Sequence, residues 1–301
     1  MQDKYSIFHV QGGLGKHIAA TAVAKCIKNN HGHRKLIVVC AYPDVFINLP
    51  FVDRVYQLGN TSYFYQNYIE NTDSLIFHNE PYFTTDHIHK KLPLIQTWCK
   101  MYGLKYTAEQ PELHFNTLQK KISKDVWRVG DKPVMVLHTN GGLMSHDAKP
   151  YMWARDMPFK VAEQIVQKYK DEYTIYQCTK MKSPKLKDTL TIQYDDKTQL
   201  STMEFLSIIL HSDKRILIDS SLQHAAAALK LPSVVLWNGT SPKVFGHNIH
   251  TNIETVKPNN FKLPGSLYFD FDFNGPEHEY PFDDNEKFFD IEKIFESIEN
   301  T

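Results

Sequence analysis

The stretch Tyr5-Ser-Ile-Phe-His-Val10, followed by Gln11-Gly-Gly-Leu-Gly-Lys-His17, decides the fold class of this chain. The apolar run Tyr5–Val10 predicts a strand, and the small apolar residues from about Ile18 to Asn29 recur at helical spacing. The glycines between them predict a tight turn where a ligand can approach the backbone N–H groups at a positive helix end. The turn matches neither a Walker loop, because His17 stands where Ser or Thr is required, nor a dinucleotide fingerprint, because Ile18 occupies the third glycine position.

The same alternation of strand and helix continues along the chain. Buried strands are predicted at Lys35–Cys40, Arg54–Leu58, Ser74–His78, Val134–His138, Tyr173–Cys178, Arg215–Ile218 and Ser233–Trp237. Helices are predicted at Pro43–Leu49, Asp86–Met101, Pro158–Tyr169, Thr202–Leu210, Ser220–Leu229 and Asp284–Glu299. The alternation stops in a polar, weakly patterned region, Thr107–Gly130, and then restarts.

This pattern predicts an α/β protein of two Rossmann-like domains with parallel sheets. The first domain is expected at residues 1–130 and the second at residues 131–283. Residues 257–284 are rich in Asn, Phe, Asp, Pro and Gly and are interpreted as irregular. The C-terminal helix, within residues 284–301, is expected to pack back on the first domain.

Composition excludes several classes of protein. The 301 residues carry 34 Lys and Arg against 34 Asp and Glu, and 13% are aromatic, which argues against intrinsic disorder and against a chain-wide surface for nucleic acid. No apolar stretch approaches the roughly 20 residues of a membrane helix, and the N-terminus does not resemble a signal peptide. The four cysteines form no CxxC pair, so buried, reduced thiols in a cytoplasmic protein are expected.

A second motif, Ile218-Asp-Ser-Ser-Leu-Gln-His-Ala-Ala-Ala-Ala-Leu229, predicts an anion site. The strand ends at Asp219, and Ser220 or Ser221 can cap the helix that starts at once. The free N–H groups and the helix dipole there attract phosphate, and His224 lies about one turn inside. The next strand ends in Asn238-Gly-Thr240, a second turn that suits a phosphate, although an ordinary capped helix with a partly buried histidine would have the same sequence.

These residues together resemble the heptosyltransferase family, glycosyltransferase family 9. The resemblance runs from residue 6 to about residue 247, and its most specific part is Asp219-Ser-Ser-Leu-Gln-His-Ala-Ala-Ala-Ala-Leu229. Arg155-Asp-Met-Pro158 resembles the basic-x-x-Pro element of the family. The resemblance implies the GT-B architecture, in which two Rossmann-like domains face each other across a cleft, the C-terminal one holding the nucleotide-sugar and the N-terminal one receiving the acceptor.

The chain departs from the family in its first loop. The family has Gly-Asp there, and that aspartate is its proposed general base, whereas this chain has Gly15-Lys16. An ammonium group is a poor base at neutral pH, so Lys16 is expected to offset negative charge instead. His17 ranks first as the replacement base because histidine titrates near neutral pH, with Glu80 and Asp86 as alternatives. His17 packing at the helix start is the competing interpretation.

The remaining candidates lie at other strand ends. The residues expected to bind the nucleotide-sugar are Gly13, Gly15, Thr139, Asn140, Lys180, Lys182, Asp219, Ser220, Ser221, Leu222, His224, Gly239 and Thr240. No metal site is expected, because His87 and His89 diverge on a helix and Asp270-Phe-Asp272 falls in the irregular segment.

The predicted function is transfer of a sugar from a nucleoside-diphosphate sugar to an acceptor hydroxyl, without a metal or another cofactor. The resemblance implies inversion at the anomeric carbon. The acceptor is open between a glycan such as the lipopolysaccharide core and a hydroxymethylated DNA base, since the chain is also similar in style to glycosyltransferase-like proteins of phages. The alternative is a homologue that binds a nucleotide-sugar without transferring it, which the missing family aspartate would explain.

Overall fold

The computed structural model describes residues 2–141, 155–180, 183–193, 200–256 and 288–301. The chain forms two compact units, Met1–Asn116 and Thr117–Thr301, and each is built on its own parallel sheet. The predicted α/β class with two parallel sheets is therefore confirmed. The predicted segments at residues 142–154, 181–182, 194–199 and 257–287, with Lys182 among them, lie outside the described residues.

The first unit has a sheet of four parallel strands in the order β3-β2-β1-β4. Its strands are β1 (Lys4–Val10), β2 (Lys35–Cys40), β3 (Arg54–Gln57) and β4 (Asp73–Phe77). Its helices are α1 (Leu14–Asn30), α2 (Phe64–Tyr68), α3 (Thr85–Ile88) and α4 (Leu94–Met101), and short 3-10 turns span Pro43–Val45 and Pro81–Phe83. In the register of the sheet, Ile7 lies between Ile37 and Ile76. Small residues let α1 pack closely, and Ala20, Ala22 and Ala24 are fully buried.

Two predicted helices of the first unit differ from the structure. The single helix expected over Asp86–Met101 is two helices, α3 and α4, because Pro93 is the N-cap of α4 and Lys90 has a positive φ of 52°. Both features break a helix, since proline removes a hydrogen-bond donor and disfavours helical geometry in the residue before it. The helix expected over Pro43–Leu49 is only the three-residue turn at Pro43–Val45.

The second unit has a sheet of six parallel strands in the order β10-β9-β8-β5-β6-β7. Its strands are β5 (Val134–His138), β6 (Thr174–Thr179), β7 (Leu190–Gln193), β8 (Lys214–Ile218), β9 (Val234–Trp237) and β10 (Thr251–Glu254). Its helices are α5 (Thr117–Trp127), α6 (Phe159–Tyr169), α7 (Thr202–Leu210), α8 (Ser221–Ala228), α9 (Pro242–Phe245) and α10 (Ile291–Glu299). The sequence pattern missed β7 and β10, which are four-residue strands at the two edges of the sheet.

Because helix α5 belongs to the second unit, the boundary between the units lies at residue 116 and not at the expected residue 130. Trp127 is buried and donates a hydrogen bond from Nε1 to Ser207 Oγ of α7 at 2.7 Å. Ser123, on the same face, lies 2.7 Å from His211 Nε2. These contacts attach α5 to the second unit, although the polar composition of Thr107–Gly130 predicted no element there.

Helix α10, expected to pack on the first domain, packs in the apolar cluster of the second unit. Ile294 and Ile298 are buried in the same apolar cluster as Ile216 and Leu236 of the sheet. Lys214 fixes the end of the helix by donating from Nζ to the Ile298 carbonyl at 2.7 Å. Asp290 caps its start, accepting from the N–H groups of the first turn.

Two further properties follow from the described helices and the cysteines. No helix in the described ranges combines the length and the hydrophobicity that crossing a bilayer requires. All four cysteines, Cys26, Cys40, Cys99 and Cys178, are buried and unpaired.

Candidate functional site

Each sheet has one point where the order of its strands reverses. In the first unit the chain runs from β1 outward through β2 and β3 and then adds β4 on the other side of β1. In the second unit it runs from β5 through β6 and β7 and then adds β8 on the other side of β5. Ligands of open parallel sheets bind outside the carboxyl ends of the strands at such switch points. The residues that follow β1 and β4, and those that follow β5 and β8, are therefore the places to look for a site.

An ion pair between Lys16 and Glu80 occupies the switch point of the first unit. Lys16 belongs to the first turn of α1, after β1, and Glu80 follows β4. Only 9% of the Lys16 side chain is exposed, against 33% for Glu80. Gly12 makes room for the lysine, because its φ is +94° and a Cβ there would lie 3.3 Å from Lys16 Cδ.

Aromatic rings enclose the ammonium group of Lys16. Its Nζ lies 4.9 Å from the ring centre of Tyr82 and 5.7 Å from that of Trp98. Burial lowers the pKa of Lys16, and the hydrogen bond and charge of Glu80 oppose that shift. Within the described ranges, Glu80 has no other hydrogen-bond partner, so one carboxylate oxygen is held by Lys16 and the other can accept a proton.

His17, the first-ranked candidate base, is buried with both ring nitrogens bonded to the backbone. Its side chain is fully buried, its Nδ1–H donates to the Gly13 carbonyl at 2.9 Å, and its Nε2 accepts from the Ala41 N–H at 3.1 Å. Burial lowers its pKa to about 4. These two bonds connect the glycine loop to the residue after β2. Neither ring nitrogen is left to take a proton from an acceptor hydroxyl. Gly13 is the N-cap of α1, and Gly15 lies in its first turn.

Asp86 has a different partner and is not joined to the Lys16–Glu80 pair. It lies on α3 and accepts a hydrogen bond from Lys100 Nζ of α4 at 2.6 Å. No contact in the described residues links it to Lys16 or Glu80, so it fits a role in joining the two short helices.

Two histidines that the sequence analysis did not single out lie beside Glu80. The rings of His9, in β1, and His78, after β4, stack with centroids 5.8 Å apart. The pKa of His9 is lowered, first by burial and then by His78, and it is also sensitive to the charges of Glu80 and Lys16. The pair follows from the register, in which Phe8 lies opposite Phe77, and a local pattern cannot show which strands are neighbours.

Asp156 is the centre of the switch point of the second unit. Its carboxylate accepts from Asn140 Nδ2 and from the Gly141 N–H, both at 3.1 Å, and pairs with Lys180 Nζ at 3.4 Å. Its backbone carbonyl accepts from Asn238 Nδ2 at 2.6 Å. Asp156 thus joins the loops after β5 and β6 through its side chain and the loop after β9 through its backbone carbonyl. Asp156 was not a predicted site residue, although it lies inside the basic-x-x-Pro element Arg155–Pro158.

Thr139 and Asn140 hold this loop in place. Thr139 is buried, and its hydroxyl donates to Asn140 Oδ1 at 2.9 Å. Thr179 donates to the same oxygen at 2.7 Å. The Asn140 side chain is therefore bonded at its oxygen by both threonines and at its nitrogen to Asp156. These bonds orient the loop, and they leave little of either side chain for the sugar hydroxyls that they were predicted to bind.

The residues after β8 and β9 complete this site. Ser220 is the N-cap of α8 but makes no side-chain cap bond, so the first-turn N–H groups of the helix are open to another acceptor. Asp219 is buried, and burial raises its pKa against the opposing charge of Arg155. Ser221 is half-buried in the first turn, Leu222 belongs to the core, and Gly239 and Thr240 are buried after β9.

His224 faces away from any open surface. Its Nδ1 lies 2.8 Å from His247 Nε2, and the His247 ring contacts that of His250. Burial lowers the pKa of His224 to about 3. The interpretation as a partly buried helix histidine therefore fits better than the expected contact with a phosphate. Within the described residues, no group of three or more His, Cys, Asp or Glu side chains is arranged to hold a metal ion.

Gly141 lies against Ser220, where β5 and β8 diverge. A Cβ on Gly141 would lie 2.7 Å from Ser220 Oγ and 2.8 Å from its Cβ. We expect Gly141→Ala to lower the free energy of unfolding of the second unit by about 1–3 kcal/mol, because the added methyl group overpacks this contact. Ser220→Gly in the same chain should restore much of the loss. Urea unfolding of the two single variants and the double variant measures this coupling, and additive losses would contradict it.

Solved structures of other proteins share the fold of this chain. No protein-family model matches the chain, and no curated protein matches it in sequence. A solved structure of a glycosyl transferase family 9 protein from Veillonella parvula superposes with a TM-score of 0.67 and 11% identity, over 100% of this chain and 97% of that one. The chain has the GT-B fold of family 9 glycosyltransferases.

Two heptosyltransferase structures agree with this assignment. The Escherichia coli ADP-heptose lipopolysaccharide heptosyltransferase II matches with a TM-score of 0.60 and 10% identity, over 83% of this chain and 90% of that one. The iron-containing heptosyltransferase TibC from enterotoxigenic E. coli, solved with ADP-D-β-D-heptose, matches with a TM-score of 0.65 and 12% identity, over 100% of this chain and 78% of that one.

Proposed function

We propose that this protein is a glycosyltransferase that uses a nucleoside-diphosphate sugar as its donor. The observation that carries the proposal is the Lys16–Glu80 pair, which puts a carboxylate with one oxygen open at the switch point of a family 9 fold. Two of the similar structures are enzymes named for ADP-heptose or solved with it, which supports a sugar nucleotide here. We propose that the acceptor is a glycan or a hydroxymethylated base, that transfer inverts the anomeric carbon, and that it needs no metal or other cofactor.

The donor diphosphate would bind at the switch point of the second unit. The charge of Arg155 lowers the pKa of Asp219, so the two groups are close. Lys180 pairs with Asp156, which lies three residues before α6. Two cations therefore lie among the strand ends. The uncapped start of α8 adds N–H groups that suit an anion. As the bond to the sugar breaks, these groups would stabilise the charge that develops on the leaving nucleoside diphosphate.

The first unit would supply the base. Glu80 would accept the proton of the acceptor hydroxyl, whose oxygen forms a bond to the anomeric carbon, while the electron pair of the broken bond leaves with the nucleoside diphosphate. Lys16 holds Glu80 by one oxygen, which fixes the direction of the carboxylate. A carboxylate that the family carries on the loop after β1 would thus come from the end of β4 in this chain.

Lys180→Ala should weaken binding of the preferred nucleoside diphosphate about ten- to hundredfold, because a charge-assisted contact to phosphate is lost. A thermal-shift screen with UDP-, ADP-, GDP- and CDP-sugars identifies the donor, and calorimetry then measures the affinity. Lys185→Ala, an exposed lysine on the same unit, is the control and should bind normally. If none of the four sugar nucleotides stabilises the protein, the proposed donor site is wrong.

The second candidate function is a protein that binds a nucleotide-sugar without transferring it. The lysine at the position of the family aspartate favours it. The two functions differ in a direct assay, because a binding protein would be stabilised by a sugar nucleotide and would neither hydrolyse it nor transfer its sugar.

A further inference from the structure

The side chain of His9, in β1, forms no hydrogen bond with the part of the chain that the structure describes. Its ring is partly buried at the carboxyl end of the sheet. The other two histidines near the Lys16–Glu80 pair are bonded, His17 through both ring nitrogens and His78 from Nδ1–H to Asn79 Oδ1 at 3.1 Å. Polar groups that leave water normally find a partner. The ring nitrogens of His9 are therefore available to a ligand.

The stack with His78 decides which part of the His9 ring a ligand can reach. The two rings lie 24° from parallel with centroids 5.8 Å apart, so each ring shields one face of the other. The loop that carries His78 is itself anchored, because the carbonyl of Asn79 accepts from Trp98 Nε1 at 3.2 Å and from Tyr102 Oη at 2.5 Å. The edge of the His9 ring, which carries the two nitrogens, is thus what remains for a polar contact.

His9 also lies close to the carboxylate that we propose as the base. Glu80 follows His78, the stacking partner of His9, by two residues. The charges of both members of the ion pair reach the imidazole, since Glu80 raises the pKa of His9 and Lys16 lowers it. Burial has the largest effect and lowers that pKa, so the ring is neutral at pH 7. A neutral imidazole offers one N–H donor and one acceptor nitrogen.

We propose that His9 binds the acceptor through the hydroxyl next to the one that Glu80 deprotonates. This role rests on the proposed function, in which the open oxygen of Glu80 takes the proton of the reacting hydroxyl. Neighbouring hydroxyls on a sugar ring are close enough for two adjacent side chains to bond one each. The free edge of His9 would hold the second hydroxyl and thereby fix the direction of the first.

Recognition by His9 favours a glycan over a hydroxymethylated DNA base as the acceptor. A sugar ring carries pairs of neighbouring hydroxyls, whereas the hydroxymethyl group of a base carries one hydroxyl with no neighbour. A base that has left its duplex is also read by stacking on flat side chains. His78 already shields one face of His9, and the free edge suits a hydroxyl instead.

Binding of methyl glycosides tests the proposal without donor and without turnover. The probes are the methyl glycosides of glucose, galactose, mannose and heptose, together with an oligonucleotide that contains 5-hydroxymethylcytosine. We expect at least one glycoside to shift the NMR signals of the His9 ring and the oligonucleotide to leave them in place. His9→Phe keeps a ring against His78 but has no nitrogen, so its affinity for that glycoside should fall about two- to tenfold. His9→Gln keeps a donor and an acceptor and should bind more tightly than His9→Phe.

His33→Phe is the matched control. His33 is exposed in the turn before β2, at the opposite end of the sheet, so this variant should bind the glycoside like the unaltered protein. Deoxy analogues of the bound glycoside identify the hydroxyl, because the analogue that lacks it should bind the unaltered protein and His9→Phe equally.

Three results would each overturn the role of His9. They are an absence of His9 shifts with all four glycosides, an unchanged glycoside affinity in His9→Phe, and shifts caused by the oligonucleotide alone. Failure of the proposed function would look different, since glycosides would then bind through His9 while no sugar is transferred. Transfer that proceeds with an unchanged KM for the acceptor in His9→Phe would keep the proposed function and remove His9 from it.

Discussion

Glu80→Gln should lower the rate of sugar transfer by about 10²–10⁴-fold while donor affinity stays the same. The reason is that the amide cannot accept the proton of the acceptor hydroxyl, which is the step assigned to this carboxylate. The effect should appear in kcat rather than in the KM for the donor, since the donor site belongs to the other unit. Steady-state rates with the donor identified in the thermal-shift screen, together with calorimetry, measure both quantities.

A matched control separates chemistry from stability. Glu80→Gln leaves the buried Lys16 ammonium without its counter-ion, so some loss of stability is expected. Glu112 also pairs with a lysine of α1, Lys25, and its side chain is 25% exposed against 33% for Glu80. Glu112→Gln should therefore disturb the first unit through a comparable pair and leave turnover unchanged. Full transfer activity in Glu80→Gln would exclude Glu80 as the base.

The free energy of unfolding should fall steeply as the pH drops from about 6.5 toward 4.5. Burial lowers the pKa of His138 and His224 to about 3, that of His250 to about 4, and that of His247 well below 6.5. Below the unfolded pKa of 6.5, these histidines bind protons in the unfolded chain but stay neutral in the folded unit. Their contribution to the free energy of unfolding is therefore lost as the pH falls, and it is constant above that value. Each histidine contributes a slope of up to about 1.4 kcal/mol per pH unit. Four together would remove up to about 11 kcal/mol over the two pH units below 6.5, which is comparable with a typical domain stability of about 5–15 kcal/mol.

Urea unfolding at a series of pH values between 7.5 and 4.5 measures this slope. His250→Gln removes one of the four groups and can keep the hydrogen bond to the Gln223 carbonyl that His250 Nε2 now makes at 2.9 Å. In the variant, the slope of the free energy of unfolding against pH should be lower by an amount that corresponds to up to one bound proton. Burial raises the pKa of Asp219, so this carboxyl acts with the opposite sign, because the folded unit binds its proton more readily than the unfolded chain. The histidine contribution is therefore read from the difference in slope between His250→Gln and the unaltered protein. A stability that is flat down to pH 5 would contradict neutral buried histidines.

The sequence predicted the central elements of both sheets because their signals are local. Val134–His138 and Lys35–Cys40 are continuous apolar runs, and the structure has strands with those bounds. The edge strands β7 and β10 were missed because four residues give too short a pattern. Helix α5 was missed because only Ser123 and Trp127 face the core and its other apolar residues face solvent.

The candidate site was predictable only in part, since its contacts join distant parts of the chain. Lys16 and Glu80 could each be selected from their places after strands, but their pairing depends on β4 lying beside β1. The same holds for Asp156, whose partners Asn140 and Lys180 follow two other strands. His17 and His224 were ranked by the usual chemistry of histidine, and in the structure burial outweighs that chemistry.

The position of α10 also sets the order in which the two units can form during synthesis. The first compact unit ends at Asn116, and domains generally fold as units during synthesis, so we expect it to fold while the rest of the chain is still being made. The core of the second unit includes Ile294 and Ile298, which are synthesised long after its central strands end at Trp237. Contacts across such long sequence separations form slowly. Until they form, we expect part of the apolar face of the nascent sheet to stay open to solvent, which is the condition that favours aggregation.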